Sequence, residues 1–235
     1  MQNKPGTLYL IPCFMGEDNP AIIPKQVTDM VELLDEFVVE NAKTARRYLR
    51  AIGYRKNFDT EVIIHELDKH ATHQNCHALL QNVLQGKNCG LISEAGNPCI
   101  ADPGNELVAY AHKHGIRVEP LVGPSSILLA LIASGFNGQQ FTFNGYLPIQ
   151  EPERSRKIQQ LENTGSGGVT QIFMETPFRT QKLLTEILKN GKDHTRLCIA
   201  CDLTLSTEFI RTATIAEWRK HTPDLHKRYC IFLFG

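Results

Sequence analysis

The first turn of the chain lacks the glycines on which the commonest nucleotide-binding folds depend. The strand-like segment Thr7–Ile11 runs into residues 12–16, which contain a single glycine and no G-x-G spacing. A Rossmann fold would place a glycine-rich turn at this point. The P-loop pattern G-x-x-x-x-G-K-[ST] is also missing from the whole sequence. Together these absences exclude the two most common nucleotide-binding architectures.

The sequence also lacks long apolar runs and an excess of either charge. Its longest apolar run, Ile127–Ala133, is too short to cross a bilayer, and the polar amino terminus has no signal-peptide pattern. Lysine and arginine number 25, against 25 aspartates and glutamates. This balance argues against a protein that binds nucleic acid over most of its surface, but it permits a local basic patch. We therefore expect a cytoplasmic globular protein with no membrane partner, and 235 residues suffice for one large domain or two small ones.

The cysteines form neither a disulfide framework nor a zinc pattern. There are 7, an odd number scattered along the chain, which is typical of reduced thiols in a cytoplasm. Cys198 and Cys201 form a C-x-x-C, but Leu197–Ala200 is strand-like, and positions three apart on a strand face opposite sides. Because no second pair occurs, we interpret these cysteines as buried thiols rather than zinc or redox groups.

Three histidines give only a weak metal signal. His70, His73 and His77 could share one face of a helix predicted over Thr72–Leu84. The segment has no H-E-x-x-H motif, and exposed histidines on helices are common. We therefore predict no metal site.

One stretch, Ser93–Gly104, has an unusual density of conformationally special residues. It reads SEAGNPCIADPG, with two glycines and two prolines, and it lies between a strand-like run at Cys89–Ile92 and a helical pattern at Glu106–His114. Glycine reaches torsions closed to other residues, and proline fixes them. An ordinary strand-to-helix turn needs fewer such residues. We therefore favour a ligand-binding loop at the carboxyl end of a strand, where open α/β sheets bind their ligands.

The first half of the chain alternates strand and helix patterns, whereas the second half is strand-rich. Alternation predicts a parallel sheet, and the second sheet is expected to be mixed. A glycine-rich loop is predicted at Thr164–Gly168, after a polar helix near Pro152–Leu161. The other predicted strands are Glu36–Val39, Glu61–His65, Ile116–Leu121, Phe141–Tyr146, Val169–Met174, Phe209–Ala213 and Tyr229–Phe234, and the other predicted helices are Val27–Leu34, Ile127–Ser134 and one ending at Leu188.

A basic helix is predicted over Ala42–Ala51. Lys43, Arg46 and Arg50 recur at three- and four-residue steps, with Arg47 beside them. Like charges at this spacing destabilise a helix, so the cluster needs a reason. It is either a solvated face or a phosphate-binding patch.

Two serines follow a glycine–proline pair at another predicted helix start. Ser125 and Ser126 come directly after Gly123 and Pro124, and Pro124 suits the first turn of a helix. Free N–H groups at a helix amino terminus suit a polar or anionic ligand group. Capping alone would explain one of the two serines.

Six motifs occur in a fixed order over nearly the whole chain. They are Gly6–Ile11, Ser93–Gly104, Val122–Ser126, Ser134–Phe136, Phe141–Pro148 and Met174–Arg179. In this order they resemble the tetrapyrrole methylase superfamily, whose S-adenosylmethionine-dependent methyltransferases have a fold unrelated to Rossmann enzymes. The closest resemblance is to the branch that methylates a cytidine ribose 2′-oxygen in small-subunit ribosomal RNA.

The chain departs from that branch at several positions. Where the branch has Ala-Glu-Asp-Thr-Arg, residues 39–43 keep only Glu40, and Glu94 replaces the loop aspartate. Asp202–Leu205 stands for Glu-Leu-Thr-Lys and lacks the lysine, and His226–Arg228 replaces a Gly-Glu pair. These changes leave a cofactor site plausible and bear mainly on the acceptor.

The resemblance implies an α/β fold of two domains, residues 1–122 with a parallel sheet and 123–235 with a mixed sheet, and a cofactor cleft between them. It also implies a homodimer. For Met174, core packing is an equal alternative to cofactor contact. The residues implied to bind S-adenosylmethionine are Pro12, Ala95, Gly96, Asn97, Ile100, Ser125, Ser126, Met174, Cys201 and Leu203.

The implied reaction moves a methyl group from a sulfonium to an oxygen. A ribose hydroxyl is a poor nucleophile and gains from a nearby base, for which Glu94 and Glu175 are the candidates, with Glu40 behind them. Each could instead be a structural ion-pair partner, for instance of Arg179. The residues implied to grip the RNA backbone are Lys43, Arg46, Arg47 and Arg50. Two alternatives stay open: a methyltransferase for a small molecule such as a tetrapyrrole, and a non-catalytic module that binds the cofactor or RNA.

Overall fold

The computed structural model describes residues 4–16, 19–67 and 73–235 (of residues 73 and 74, the backbone alone). Backbone packing divides the chain into two compact units, Met1–Pro124 and Ser125–Gly235. The domain boundary predicted at residues 122 and 123 stays a prediction. Within the described ranges, no helix is both long and apolar enough to cross a membrane.

The first unit contains a five-stranded sheet in which every pairing is parallel, as predicted. Its strands are β1 (Thr7–Ile11), β2 (Glu36–Val39), β3 (Ile63–Glu66), β4 (Cys89–Ile92) and β5 (Arg117–Pro120), in the order β3-β2-β4-β1-β5. Successive residues of β1 join two different apolar clusters, with Tyr9 and Ile11 in one and Leu8 and Leu10 in the other. Both faces of the sheet are therefore covered, which explains why β2 and β4 are buried along their whole length.

The helices of the first unit follow the predicted pattern with one difference. They are α1 (Lys25–Glu32), α2 (Ala42–Ala51), α3 (His73–Leu79), α4 (Gln81–Leu84) and α5 (Asn105–Lys113), with a short 3-10 helix at Pro20–Ile22. The single helix predicted over Thr72–Leu84 is two helices, because the backbone leaves helical torsions at Leu80 (φ −109°, ψ 12°). Thr72 itself lies outside the described residues.

The second unit contains a mixed sheet, also as predicted. Its strands are β6 (Phe141–Tyr146), β7 (Thr170–Glu175), β8 (Arg196–Cys201), β9 (Phe209–Thr214) and β10 (Cys230–Phe234), in the order β6-β7-β10-β8-β9. Only β6 and β7 pair in parallel, and the other pairs are antiparallel. The helices are α6 (Ser126–Ser134), α7 (Glu153–Ser166), α8 (Thr180–Asn190) and α9 (Ile215–Lys220).

The prediction of a glycine-rich loop at Thr164–Gly168 is wrong at its start. Helix α7 continues to Ser166. A Cβ placed on Gly165 would lie 2.8 Å from Cβ of Phe234, so this glycine lets α7 pack directly on β10. Its role is close packing rather than a turn, and the chain leaves the helix at Gly167 and Gly168.

The expectation of reduced cysteines alone is also wrong. Cys201 and Cys230 form a disulfide between β8 and β10, where they are direct partners in the antiparallel register. They are separated by 29 positions in sequence, so their proximity depends on strand pairing that spacing does not reveal. Among the free cysteines, Cys13, Cys76, Cys89 and Cys198 are buried, and burial raises the pKa of each thiol.

Candidate functional site

The loop Ser93–Gly104 follows β4 and has an unusual backbone, as its composition predicts. Gly96 and Gly104 have φ of 65° and 126°, and two non-glycine residues, Cys99 and Ala101, also have positive φ, of 69° and 62°. Left-handed torsions at non-glycine residues are uncommon. They are tolerated here because the surrounding structure holds the loop in place.

Hydrogen bonds attach this loop to the turn after β1. The N–H of Cys13 donates to the carbonyl of Gly96 at 2.7 Å, and the N–H of Gly96 donates to the carbonyl of Phe14 at 3.2 Å. The Asn97 side-chain amide donates to the carbonyl of Pro124 at 3.0 Å. Two segments about 80 residues apart in sequence therefore form one rigid unit, because each supplies the other's backbone partners.

Pro12 packs into the same assembly. Its carbonyl accepts a 2.5 Å hydrogen bond from the hydroxyl of Tyr48 on α2. A Cβ on Gly123 would lie 2.0 Å from Cβ of Pro12, so only glycine fits at residue 123. Of the predicted cofactor residues in this unit, Pro12, Gly96 and Asn97 thus belong to one assembly, while Ala95 is exposed and Ile100 is 49% exposed.

A small polar cleft lies between this assembly and the start of α2. Glu94 is exposed to solvent, and its Oε1 accepts a 2.5 Å hydrogen bond from the hydroxyl of Thr44. Ser93, which is 5% exposed, has a buried hydroxyl oxygen without a hydrogen-bond partner. The cleft is lined by Cys13, Phe14, Gly16, Thr44, Ala45, Arg47, Tyr48, Ser93 and Glu94. It therefore combines a carboxylate, a guanidinium and the hydroxyls of Thr44, Tyr48 and Ser93.

The start of α2 is fixed by side-chain caps. Asn41 Oδ1 accepts from the N–H groups of Lys43 and Thr44, and Glu66 accepts from the N–H of Ala42 at 2.7 Å. Asn41 stands where the related branch has aspartate, and asparagine caps a helix about as well as aspartate does. Thr44, in the first turn of α2, is thereby positioned to donate its hydroxyl to the Glu94 carboxylate.

The four basic residues predicted on α2 do not share one environment. Arg47 lines the cleft with Glu94, and Lys43 and Arg46 are exposed. Arg50 donates to the carbonyls of Tyr54 and Lys56 at 2.6 and 2.9 Å and lies 4.2 Å from the ring centre of Phe58. Arg50 therefore holds the chain that leaves α2, and its predicted role in gripping RNA stays a prediction.

Glu175, the other predicted base, lies in the second unit in a different setting. It ends β7, its side chain is 0% exposed, and its Oε1 accepts from Arg179 at 2.6 Å and from the N–H of Thr176 at 2.7 Å. This is the ion pair that the sequence left open as an alternative. Met174, next to it, is half-buried.

The segment after β8 contains the remaining predicted cofactor residues. Cys201 is in the disulfide, and Leu203 is 5% exposed. Between them, Asp202 is buried with φ of 48°, and its carboxylate accepts from the guanidinium of Arg228 and the N–H of Tyr229 at 2.8 and 3.2 Å. Asp202 therefore fixes this turn to the segment before β10.

The two predicted serines occupy the start of α6. Ser125 is the N-cap, and its hydroxyl accepts from the N–H of Leu128 at 3.4 Å. Ser126 is the first helical residue and is half-buried. Capping accounts for Ser125, and the cofactor contact implied for both serines stays a prediction.

Across residues 4–16, 19–67 and 73–235, no three His, Cys, Asp or Glu side chains are grouped so as to hold a metal ion. Of the three histidines considered from the sequence, His77 Nδ1 lies 2.8 Å from the hydroxyl of Tyr110, and His70 lies outside the described residues. The side chain of His73 is likewise not described.

Sequence reasoning missed Thr44 and Ser93. The helical pattern with Asn41 three residues before Thr44 could have identified an N-cap. The contact between Thr44 and Glu94 spans 50 residues and depends on the neighbouring positions of β2 and β4 in the sheet. No local pattern in the sequence encodes it.

Comparison of the sequence with known proteins gives a consistent result. Residues 15–218 match the family model described as Tetrapyrrole (Corrin/Porphyrin) Methylases. Two relatives are both named Ribosomal RNA small subunit methyltransferase I. That of Pasteurella multocida is 30% identical over 97% of this chain and 78% of its own length. That of Mesorhizobium japonicum is 32% identical over 91% of this chain and 69% of its own length.

Comparison of the fold agrees with the sequence match. The methyltransferase CobJ superposes with a TM-score of 0.65 at 16% identity, covering 98% of this chain and 94% of its own. Uroporphyrin III C-methyl transferase from Thermus thermophilus superposes with a TM-score of 0.59 at 15% identity, covering 98% and 97%. At such identities the likeness establishes the fold alone. Together with the family match over most of the sequence, it means that this chain belongs to the tetrapyrrole methylase family of S-adenosylmethionine-dependent methyltransferases.

Proposed function

We propose that the protein transfers a methyl group from S-adenosylmethionine to a ribose 2′-hydroxyl of small-subunit ribosomal RNA in the cytoplasm. The observation that carries the proposal is the polar cleft of the first unit, where an exposed carboxylate, Glu94, lies beside the basic helix α2. The relatives of about 30% identity that bear a ribosomal RNA methyltransferase name support the same acceptor.

The described residues of the loop after β4 fit a bound nucleoside cofactor. Ala95 is small and exposed, and Gly96 has φ of 65°, so a ligand can approach the main chain closely. The hydroxyl oxygen of Ser93 has no partner, and an incoming polar group could satisfy it. S-adenosylmethionine, when bound, supplies a methyl group already activated by its sulfonium. The remaining tasks of the protein are to hold the acceptor oxygen in line and to remove its proton.

Glu94 suits the role of general base better than Glu175 does. Thr44 holds one carboxylate oxygen of Glu94, and the exposed side chain leaves the carboxylate accessible to an acceptor hydroxyl. Glu175 is buried and already binds Arg179, so its charge is engaged and its oxygens are inaccessible. A base must reach the proton that it removes. We therefore assign proton removal to Glu94 and a structural role to Glu175.

Three cations of α2 suit the RNA backbone. Lys43, Arg46 and Arg47 are exposed on the helix that also carries Thr44, the partner of Glu94. Phosphate contacts by lysine and arginine position a nucleic acid without reading its sequence. One rigid helix would thus hold both the backbone of the acceptor and the base that acts on it.

A direct assay tests the proposal. Purified protein is incubated with S-adenosylmethionine labelled in its methyl group and with small ribosomal subunits from cells that lack the protein. We expect label in the RNA and, after digestion, mass spectrometry should detect one 2′-O-methylated nucleotide. Subunits from wild-type cells, already methylated, are the matched control and should take up little label. No label in RNA would refute the proposal.

No observation of the described residues favours the small-molecule alternative. The likeness to CobJ and to uroporphyrin III C-methyl transferase rests on 16% and 15% identity and concerns the fold. Adding a tetrapyrrole acceptor to the same assay distinguishes the two, because only one acceptor should be labelled. The homodimer implied by the resemblance stays a prediction.

A further inference from the structure

Three aromatic side chains of the second unit are exposed to an unusual degree. Phe178 is 76% exposed, Tyr229 is 60% exposed and Tyr146 is 51% exposed. Large aromatic residues are usually mostly buried, and a group of exposed ones often marks a binding surface. Neither the cleft of the first unit nor the assignment of Glu94 explains them.

All three lie at the same edge of the sheet. Tyr146 ends β6 opposite Met174, and Phe178 follows the end of the parallel strand β7. Tyr229 comes directly before β10, which is antiparallel to β7 and begins with Cys230 opposite Glu175. The end of β6, the end of β7 and the start of β10 therefore meet at one edge. We call Phe178, Tyr229 and Tyr146 the aromatic edge.

The backbone that carries the aromatic edge is held in place. The N–H of Lys227 donates to the carbonyl of Pro177 at 3.1 Å, so the segment before β10 is attached to the turn that carries Phe178. Asp202 accepts from the N–H of Tyr229 at 3.2 Å and donates its own N–H to the carbonyl of Tyr229 at 2.8 Å. Phe178 and Tyr229 are therefore presented from a fixed scaffold, which lowers the entropy lost on binding.

Positive charge lies next to these rings. Lys227 is exposed and directly precedes Arg228 and Tyr229. Arg228 is bound by Asp202, which leaves Lys227 as the cation of this segment that faces solvent. Flat aromatic surfaces beside a cation match the two parts of a single-stranded nucleic acid, since bases stack on the rings and phosphates attract the lysine.

We propose that the aromatic edge binds unstacked bases in a single-stranded segment of the RNA. This rests on the proposed function, because the RNA bound here is the one whose ribose is methylated. Sequence-specific RNA recognition commonly targets loops and ends whose bases can stack on aromatic side chains. The aromatic edge would hold such a segment through its bases, whereas α2 holds phosphates.

The first test measures binding alone. The full chain is titrated into a fluorescently labelled, unstructured RNA oligonucleotide, and anisotropy gives Kd. We expect F178A and Y229A each to weaken binding about 10-fold, the order expected for the loss of one stacked base. F178W and Y229F should bind like wild type because they keep a stacking ring. F141A is the matched control: Phe141 is also exposed, at 40%, but begins β6 and so lies at its opposite end, and Kd should not change.

A second readout does not depend on any loss of binding. The chain has one tryptophan, Trp218, which is 1% exposed, so F178W adds a single solvent-facing indole. Stacking of a base on this indole should quench its fluorescence as RNA is added. No quenching, with an unchanged Kd for F178A and Y229A, would overturn the proposal.

Methyl transfer separates failure of this inference from failure of the proposed function. If wild type labels ribosomal RNA, we expect Y229A to raise KM with little change in kcat, because stacking holds the RNA and does no chemistry. An unchanged KM in Y229A would overturn the aromatic edge and leave the proposed function intact. RNA binding that depends on Phe178 and Tyr229 without transfer to any RNA would refute the proposed function instead. If the variants change only the oligomeric state in sedimentation, the edge is an interface between copies and the inference is wrong.

Discussion

Two glutamates in the two units occupy comparable places and have opposite environments. Glu94 follows β4 by two residues, is exposed, and accepts from the Thr44 hydroxyl. Glu175 is the last residue of β7, is buried, and is paired with Arg179. Both lie at the carboxyl end of a strand in motifs that carry the family resemblance. A strand end therefore does not by itself assign a role.

The partners of the two carboxylates account for the difference. A buried glutamate that accepts from a guanidinium and a backbone N–H is out of reach of a substrate hydroxyl. An exposed glutamate held at one oxygen by a hydroxyl is oriented but still accessible. The comparison predicts that substitution of Glu94 mainly affects the reaction, whereas substitution of Glu175 mainly affects folding.

The largest effect is expected from E94Q. Losing a general base typically lowers the rate by about 100- to 10,000-fold, and glutamine keeps the size of the side chain while removing its basicity. Because Glu94 is exposed, the free energy of unfolding should change by less than about 0.5 kcal/mol. Methyl transfer to RNA and urea unfolding are measured on the same preparation. E94D, which restores the aspartate of the related branch, is the control and should retain activity.

The converse is expected for E175Q. Replacing one partner of a buried ion pair leaves the other charge without compensation, which for a fully buried pair costs about 3–5 kcal/mol. Because the Arg179 side chain is 33% exposed, solvent offsets part of this loss, and we expect about 2–3 kcal/mol in urea unfolding. E153Q alters an exposed glutamate in the first turn of α7 of the same unit, controls for a general effect of charge, and should change the stability little. A stable E175Q protein without activity would reverse the assignment of the two glutamates.

A smaller contrast is expected between two arginines of α2. R47A removes a charge that lines the cleft, so RNA affinity should fall. The slope of the logarithm of the binding constant against the logarithm of salt concentration should become shallower by about the amount expected for one phosphate contact. R50A removes the contacts to the Tyr54 and Lys56 carbonyls and to the Phe58 ring, and should cost about 1 kcal/mol of stability. An equal salt dependence in both variants would mean that Arg50 also contacts RNA.

The sequence could predict the features that neighbouring residues define, and it could not predict those that depend on distant residues. Strands β1, β2, β4 and β6 have the predicted bounds, because apolar or aromatic residues concentrated between turn residues define them locally. The parallel and mixed sheets follow from the order of strands and helices. Helix α7 was predicted too short because the reason for Gly165, its contact with Phe234, lies about 70 residues away.

The site was predictable in outline and not in its pairings. The composition of Ser93–Gly104 identified the special loop, and spacing identified the cations of α2. The bond from Thr44 to Glu94, the commitment of Arg50 to Phe58, and the disulfide between Cys201 and Cys230 all depend on three-dimensional packing. Residue type and local spacing predicted which segments contribute to the site, whereas strand order and packing determine which side chains contact one another.

The smallest effect concerns a third carboxylate, Glu217. It is exposed like Glu94, but like Glu175 it accepts hydrogen bonds that stabilise local structure. It forms a capping box with Thr214 at the start of α9, and hydrogen bonds from the backbone and hydroxyl of Thr214 lower the pKa of Glu217. A lowered pKa in the folded state means that the stabilisation is present above the ordinary pKa and is lost as pH falls through the lowered one.

E217Q should therefore be slightly less stable than wild type at neutral pH, and the difference should shrink as the solution becomes acidic. E106Q, in the first turn of α5, is a suitable control, since the N-cap there, Gly104, has no side chain with which to complete a capping box. Thermal unfolding as a function of pH measures both variants. If the stability difference between E217Q and wild type persists unchanged in acid, the exposed Glu217 side chain stabilises α9 without its charge. The exposure of a carboxylate would then be a weaker guide to the role of Glu94 than the contrast with Glu175 implies.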